Sequence, residues 1–515
     1  MSNLEEEQQQ QPQKHAQIVA GWDRPYTAKP LGEQFRAVRR QTLMVIFANM
    51  GVLSTGLSLA LPTVALTQLT SETEPAHLSK TEASWFASIN TLSCPLGGLL
   101  SGFLLDRIGR KYTLYVLNIL GIISWAMLGT ATGNEDSLMS FSSQLLVSRF
   151  IIGLVMGLAS APSGVYAAEI SLPKIRGSLI LGTSISVALG ITVLYCIGYF
   201  IRDDFRLIAL ICCGYQIVAL LCVFFCVESH SWLLSKRRVE EAKKSLNYFR
   251  GLERTTHLTH PEVLAEFNLL QKSLQLPVGE TKKASFLSNL RLPEVYKPLF
   301  ILMGLFAFQQ LSGIFVIIVY AVQISTKTDN SIDPFMCAVL IGVARVLTTC
   351  PMGYVLEKWG RRLAGLISTF GMCFSMLLLA GHGYFEFLRL PYFTVAAIVG
   401  FIILSTLGLY TLPFFMISEL FPQKVRGPAS GITVAVGMFF AFLCIKTYPD
   451  MQSSIGMSNC FLVFAAMSFL AMLFIYWTLP ETRGLTLLQI EQQFRSKTKT
   501  INQVEMEEML QHRVG

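Results

Sequence analysis

The stretch Asp106-Arg107-Ile108-Gly109-Arg110-Lys111, preceded by Gly102, returns as Glu357-Lys358-Trp359-Gly360-Arg361-Arg362, preceded by Gly353, 251 positions further on. Two more pairs keep nearly the same distance. Glu169 with Arg176-Gly177 returns as Glu419 with Arg426-Gly427, offset by 250, and Glu228-Ser229 returns as Glu481-Thr482, offset by 253. Three ordered matches at one offset mark the chain as a duplicated unit.

What each unit contains follows from composition. The 515 residues are 52% hydrophobic and 14% charged, with mean hydropathy +0.50. A soluble domain carries about 25% charged residues, so this chain lacks the polar skin of a water-soluble globule. Disorder, coiled coil, disulfide scaffold and nucleic-acid binding are excluded on the same ground, which leaves an integral membrane protein. A helix crossing ~30 Å of hydrocarbon needs roughly 20 apolar residues. Twelve such stretches are present: 42–66, 84–105, 112–131, 143–168, 178–201 and 207–227, then 298–325, 335–356, 363–381, 392–418, 428–445 and 456–479. Ten of them contain no Lys, Arg, Asp or Glu; the fourth holds Arg149 and the eighth holds Arg345. The expected organisation is a polar, disordered N-terminal tail (1–41), a six-helix bundle (42–227), a linker with amphipathic helices (228–297), a second six-helix bundle (298–479) and a C-terminal tail (480–515).

Cytoplasmic loops retain positive charge. With both termini inside, the external loops hold only Lys80, Arg202, Arg206, Lys327, Arg389 and Lys446 of the 41 basic residues. The net charge of +8 is then inner-leaflet electrostatics rather than a nucleic-acid footprint. No cleavable signal peptide is read, so the first span serves as its own insertion signal. The 11 cysteines all fall in apolar spans without metal-ligand spacing, and read as buried small hydrophobes.

Parallel six-span repeats around a midplane site are the architecture of a rocking-bundle secondary transporter. The loop residues suit that motion: Asp106, Glu169 and Glu228 with Arg107, Arg110 and Arg176, and their repeat mates Glu357, Glu419 and Glu481 with Arg361 and Arg426, are expected to pair across the cytoplasmic seam as a gate. The plainer alternative is that these basic clusters only obey the positive-inside rule. Pro162 and Pro413, also 251 apart, are expected to break spans four and ten.

These motifs, together with Arg149-Phe150-Ile151-Ile152-Gly153, Gln309-Gln310-Leu311-Ser312-Gly313, Glu419-Leu420-Phe421-Pro422 and Pro480-Glu481-Thr482-Arg483-Gly484, resemble those of the major facilitator superfamily, and within it the sugar porters that include the glucose facilitators. Spans one and seven are most similar in texture to insect facilitated trehalose and hexose transporters. The resemblance implies an all-helical fold of two pseudo-symmetric bundles, a sugar substrate, no cofactor, no catalysis and a monomeric transport unit in the plasma membrane. It also implies that the linker helices latch the two bundles and that Gln309 and Gln310 bind substrate.

The sequence departs from the family pattern at several places. Pro-Glu-Ser-Pro-Arg after span six reads Val227-Glu228-Ser229-His230-Ser231, which predicts a looser gate. In the cavity, an asparagine of span seven is Phe315, the span five glutamine is Ser184, the span eight asparagine is Arg345, the span ten acid is Thr406 and its tryptophan is Phe414; two span eleven asparagines are Gly437 and Ala441. A site built to hydrogen-bond hydroxyls discriminates through those partners, so hexose specificity does not simply transfer.

Arg149 corresponds to an arginine that, in proton symporters of this family, sits near a span one aspartate. That position is Ser54 here, and span one has no acid. Facilitated diffusion rather than proton symport is the expectation, with Arg149 either functional or a donor to backbone carbonyls. Arg345 is a charge within a span with no evident acid partner. It is read either as a ligand for an anionic group or as reaching a carbonyl or Gln310. Phe315, Phe414 and Tyr320 are an aromatic wall, a plug or ordinary packing.

The sequence therefore predicts a uniporter of a hexose or trehalose-like sugar. An anion or amphiphile carrier using Arg345 and a non-transporting sugar sensor stand as alternatives. No Gly-x-x-x-x-Gly-Lys-Ser/Thr loop points to ATP-driven pumping, and no histidine cluster points to a metal.

Overall fold

In a bilayer core every backbone polar group must be satisfied internally, so charge-free stretches of this length fold as helices. A computed structural model describes residues 31–494 except 72–76, 133–138, 258–259, 276–291, 329–331, 386–391, 423–424 and 484–486, and no strand occurs among the described residues. The first half comprises α1 (Leu31–Leu69), α2 (Lys80–Ile108), α3 (Arg110–Gly129), α4 (Phe141–Ala159) continued by α5 (Pro162–Ile170), α6 (Pro173–Phe200) and α7 (Phe205–Phe224). The linker forms α8 (His230–Ser235), α9 (Val239–Phe249) and α10 (Pro261–Gln275). The second half comprises α11 (Pro293–Leu311) continued by α12 (Ile314–Val319) and α13 (Ala321–Thr328), then α14 (Pro334–Thr349) with α15 (Met352–Trp359), α16 (Arg361–Tyr384), α17 (Phe393–Thr406) with α18 (Leu412–Leu420), α19 (Arg426–Ile455), α20 (Met457–Thr478) and the short α21 (Leu487–Phe494).

Ten of these segments are long and apolar enough to cross a membrane, and the α14–α15 pair, bent by 53°, makes an eleventh. The twelfth expected span is α17 and α18, interrupted over 407–411. The interruptions fall where the prolines predict: Pro162 heads α5, and Pro413 lies in the first turn of α18. Span seven breaks at Gly313, whose φ of +84° continues a turn that an L side chain resists.

Without a hydrophobic drive between helices in lipid, close contact comes from small residues. A Cβ on Gly157 would lie 2.0 Å from the Cys94 carbonyl oxygen, and one on Gly190 2.2 Å from that of Leu53, so α4 meets α2 and α6 meets α1 backbone to backbone. Arg149 is buried inside the first half, and donates from Nε to the Phe86 carbonyl (3.0 Å) and from Nη1 to the Ser58 carbonyl (2.9 Å).

Two expectations about the polar segments change. The helix of span one begins at Leu31, inside the stretch read as tail, because the linker holds it: Arg40 Nη1 donates to the carbonyls of Tyr248 (3.1 Å) and Leu252 (2.7 Å), and Gln41 Nε2 donates to that of Phe249 (2.7 Å). Residues 1–30 lie outside the described residues. The amphipathic linker helices form as expected, with Leu233, Leu246 and Phe249 buried. Expected to latch the two bundles, they are bonded in the described residues to the first half, with Arg250 Nη1 donating to the Ile170 carbonyl and Trp232 Nε1 to that of Asp106. The second half has its own small helix, α21, where Lys297 Nζ donates to the Phe494 carbonyl.

Candidate functional site

Charged residues at the linker face form two self-contained copies of one network. In the first half the Arg110 guanidinium grips Glu169, with Nε at 3.0 Å, while the backbone N–H groups of Arg110 and Lys111 donate to the Glu228 carboxylate, both at 3.1 Å. Ser229 Oγ donates to Glu169. In the second half Arg361 grips Glu419, the N–H groups of Arg361 and Arg362 donate to Glu481 at 3.0 and 3.1 Å, and Thr482 Oγ1 donates to Glu419. Gly109 (φ +96°) and Gly360 (φ +83°) make this possible: a Cβ would lie 2.5 Å from Glu228 Oε2 or 2.6 Å from Glu481 Oε2. Each carboxylate thus caps the N-terminus of α3 or α16, where the dipole favours negative charge.

The pairing differs from expectation in three ways. Both networks stay within their own half rather than crossing the seam. Arg176 and Arg426 turn back on the carbonyls of Ser171 and Phe421, closing the start of their own helices. Asp106, Arg107 and Glu357 are exposed and outside the networks, and Arg107 lies over the Phe103 ring. Burial holds the Glu228 carboxyl above its ordinary range despite its backbone donors. His230, in the place of the family's second proline, is itself buried, and desolvation with Arg250 nearby pushes its imidazole down to about 4. It therefore packs against Phe249 as a neutral ring, so the missing proline is replaced by a filled position rather than a gap.

The hydrogen bonds joining described residues of the two halves all lie on the face opposite the linker. Thr63 Oγ1 and Tyr195 Oη both donate to the Ile318 carbonyl, at 2.5 and 2.7 Å. Lys446 Nζ donates to Ser84 Oγ at 2.5 Å with its ammonium over the Trp85 ring, and Arg202 pairs with Asp333.

Between these two levels, the breaks in spans seven and ten meet. Gln309 Nε2 donates to the Tyr410 carbonyl at 2.6 Å, inside the interruption between α17 and α18, so Gln309 ties span seven to the unwound backbone. Gln310 Nε2 donates to Gln309 Oε1 at 3.0 Å, and its own Oε1 is buried with no donor. The Tyr410 ring collects two of the departures: the Arg345 guanidinium carbon lies 4.0 Å from its centroid and the Phe315 ring 6.4 Å away. A desolvated cation–ring contact of this kind is worth about 2 kcal/mol. Among the described residues Arg345 is bonded to neither a carbonyl nor Gln310, contrary to the plainer expectation. Tyr410 was not singled out in the sequence; its signal was an aromatic between Gly408 and Pro413, residues that interrupt a helix.

The remaining expected positions separate from this cluster. Thr406 is buried and its hydroxyl donates to the Ile402 carbonyl in its own helix. Phe414 packs edge-on against Phe306 at 5.1 Å, and a Cβ on Gly437 would touch that same Phe306. Ser184 is exposed. Ala441 is buried, and Tyr320 is buried with its hydroxyl donating to the Ile445 carbonyl, which makes it packing rather than a plug. Ser54 accepts from Trp125 Nε1 in place of an acid.

Duplicated bundles with broken helices meeting at mid-depth define a membrane carrier of the major facilitator fold, a non-enzymatic class. The chain belongs to the family described as sugar (and other) transporter, which matches residues 45–494. It is 28% identical to a facilitated trehalose transporter of Apis mellifera ligustica, covering 90% of this chain and 91% of that one. It is 30% identical to the facilitated glucose transporter member 8 of solute carrier family 2 from Mus musculus, over 89% of this chain and 95% of that one. It also matches the Anopheles gambiae facilitated trehalose transporter at 28% identity, spanning 57% of that protein's length. Among solved structures it is similar to the xylose transporter of E. coli in an inward-open conformation, with TM-score 0.73 and 22% identity over 87% of this chain and 98% of that one.

Proposed function

We propose that the chain is a facilitative carrier that moves a sugar-sized, hydroxyl-bearing solute across a membrane by rocking its two halves about the Gln309–Gln310–Tyr410 level, as a uniporter. The observation carrying this reading is that two duplicated halves, each with a self-contained charge network at the linker face, are hydrogen-bonded to each other only at the opposite face among the described residues. Few weak bonds on one face leave a barrier that substrate binding can tip, since alternating access needs two states within a few kcal/mol. The excess of basic residues on the linker face supports a cytoplasmic location for it, and the arrangement is then one open to the inside. The mammalian and insect relatives are named as glucose and trehalose facilitators, which supports sugar as the solute, and the plasma membrane is the proposed location.

Uniport is favoured by the absence of a titratable partner for Arg149. Its Nε and Nη1 donate to the Phe86 and Ser58 carbonyls, its Nη2 is buried without an acceptor, and Ser54 occupies the place of a symporter's acid. The E. coli neighbour named as a proton:xylose symporter is 22% identical and shares the fold alone. In proteoliposomes, sugar entry is expected to run at the same rate with and without an imposed pH gradient and to be insensitive to protonophore. Accumulation above the external concentration that collapses with protonophore would overturn uniport.

A further inference from the structure

Two arginines lie within the spans, and they are satisfied very differently. Arg149, 1% exposed, donates to the carbonyls of Phe86 and Ser58 and to Ser58 Oγ. Arg345, 2% exposed, meets no carboxylate and no hydrogen-bond acceptor among the described residues; its guanidinium lies on the Tyr410 ring face. A ring face supplies no oxygen to a guanidinium whose donors form a fork suited to carboxylates. Burying a cation without a counter-ion is costly, and intramembrane charges mark substrate pathways. On the same ring system, Phe315 flanks Tyr410, and Gln309 joins the Tyr410 carbonyl to Gln310, whose Oε1 is buried without a donor.

We infer that the solute of this carrier is a sugar acid, a sugar or polyol bearing one carboxylate, with the carboxylate forked onto Arg345 and a hydroxyl donating to Gln310 Oε1. This rests on the reading of the chain as a sugar carrier and narrows its substrate class. A buried acceptor that lacks a donor selects for a hydroxyl, because leaving it unpaired is penalised. A single guanidinium selects for a single negative charge: none of the twelve apolar spans holds an Asp or Glu, and Arg149, the other arginine within them, lies in the first half with Nε and Nη1 on the Phe86 and Ser58 carbonyls. A phosphate ester would bring a second charge that one guanidinium does not match. The two departures at 315 and 345 are thereby one change. The asparagine amides of the family pattern give way to an aromatic platform and a cation that meet on Tyr410. Net movement of such a solute carries one negative charge, whereas exchange of labelled for unlabelled solute is electroneutral.

The test is counterflow in proteoliposomes loaded in turn with glucuronate, glucose, glucose 6-phosphate and lactate, using the labelled form of each outside. Wild type is expected to exchange glucuronate at least about tenfold faster than glucose, a difference of one charge-assisted contact, and net glucuronate entry is expected to accelerate when the interior is made positive with potassium and valinomycin. Arg345→Gln should lower glucuronate exchange by about 100-fold, while Arg345→Lys should retain part of the glucuronate rate, which separates lost charge from lost folding. Glucuronate should also raise the unfolding temperature of detergent-purified wild type and not of Arg345→Gln. Exchange of glucose without glucuronate would overturn the sugar-acid assignment and leave the sugar-carrier reading standing. Exchange of neither would overturn both. Lactate at the glucuronate rate, or glucose 6-phosphate faster than it, would overturn the assignment by removing the hydroxyl or the single charge from it.

Discussion

Joining position 84 to position 446 will abolish solute exchange. Lys446 Nζ and Ser84 Oγ lie 2.5 Å apart where α19 meets α2, on the face where the halves close against each other, and the tilted rings of Trp85 and Phe442 pack alongside at 5.6 Å. In a rocking carrier this contact must separate once per cycle. With Ser84→Cys and Lys446→Cys bridged by a short reducible bis-thiosulfonate, exchange is expected to fall to that of protein-free liposomes and to return on reduction, with each single variant treated alike as the control for the native cysteines. Exchange that persists through complete cross-linking would mean that these ends do not part during transport.

The second large effect is on stability. Arg361 and Glu419 are paired at 2.7 Å with side chains only 17% and 19% exposed, and both are embedded further: Glu419 also accepts from Thr482, and Arg361 donates to the Leu356 carbonyl. Removing one partner of such a pair strands the other, at a cost of about 3 kcal/mol. Arg361→Ala and Glu419→Ala should each lower the unfolding temperature by several degrees, and the double variant should fall short of their sum because the stranded charge is then gone. Asp106→Asn, at an exposed position outside the network, should leave it unchanged. A strictly additive cycle at 361 and 419 would contradict the pairing. Thermal unfolding in detergent, followed by intrinsic fluorescence, measures the four variants against wild type.

The duplication was legible because both copies use the same physics. Glycine lets a carboxylate reach the N-terminus of α3 and of α16, and an arginine beside it grips a second acid, so the residue types recur at a fixed offset. The proline breaks were legible for a similar reason, since Pro162 and Pro413 leave few other conformations open. The direction of pairing was not legible. Glu169 and Glu419 offer the same charge to an arginine of either half, and only the rotation of the bundles decides that each stays within its own. Arg176 and Arg426 looked equivalent to Arg110 and Arg361 in charge and spacing, yet a carbonyl at the end of the preceding turn is a nearer acceptor than any acid. At the central level, Gln309, Gln310, Phe315 and Arg345 were read one by one as matches or losses. What joins them is Tyr410, in a stretch of backbone whose unwinding exposes a carbonyl to Gln309, and sequence periodicity does not show where a span of Gly, Leu, Tyr and Thr will unwind.

The account rests on a solute site formed at that level between the two halves. Counterflow with purified protein tests it most directly: liposomes loaded with unlabelled solute are diluted into trace label, and transient accumulation reports a carrier binding the same solute from both sides. The panel is glucose, trehalose and glucuronate, with Gln310→Ala run beside wild type. The account predicts an overshoot with at least one of the three and its loss in Gln310→Ala, in protein whose unfolding temperature is unchanged. No overshoot with any of them, or an overshoot indifferent to Gln310→Ala, would contradict it.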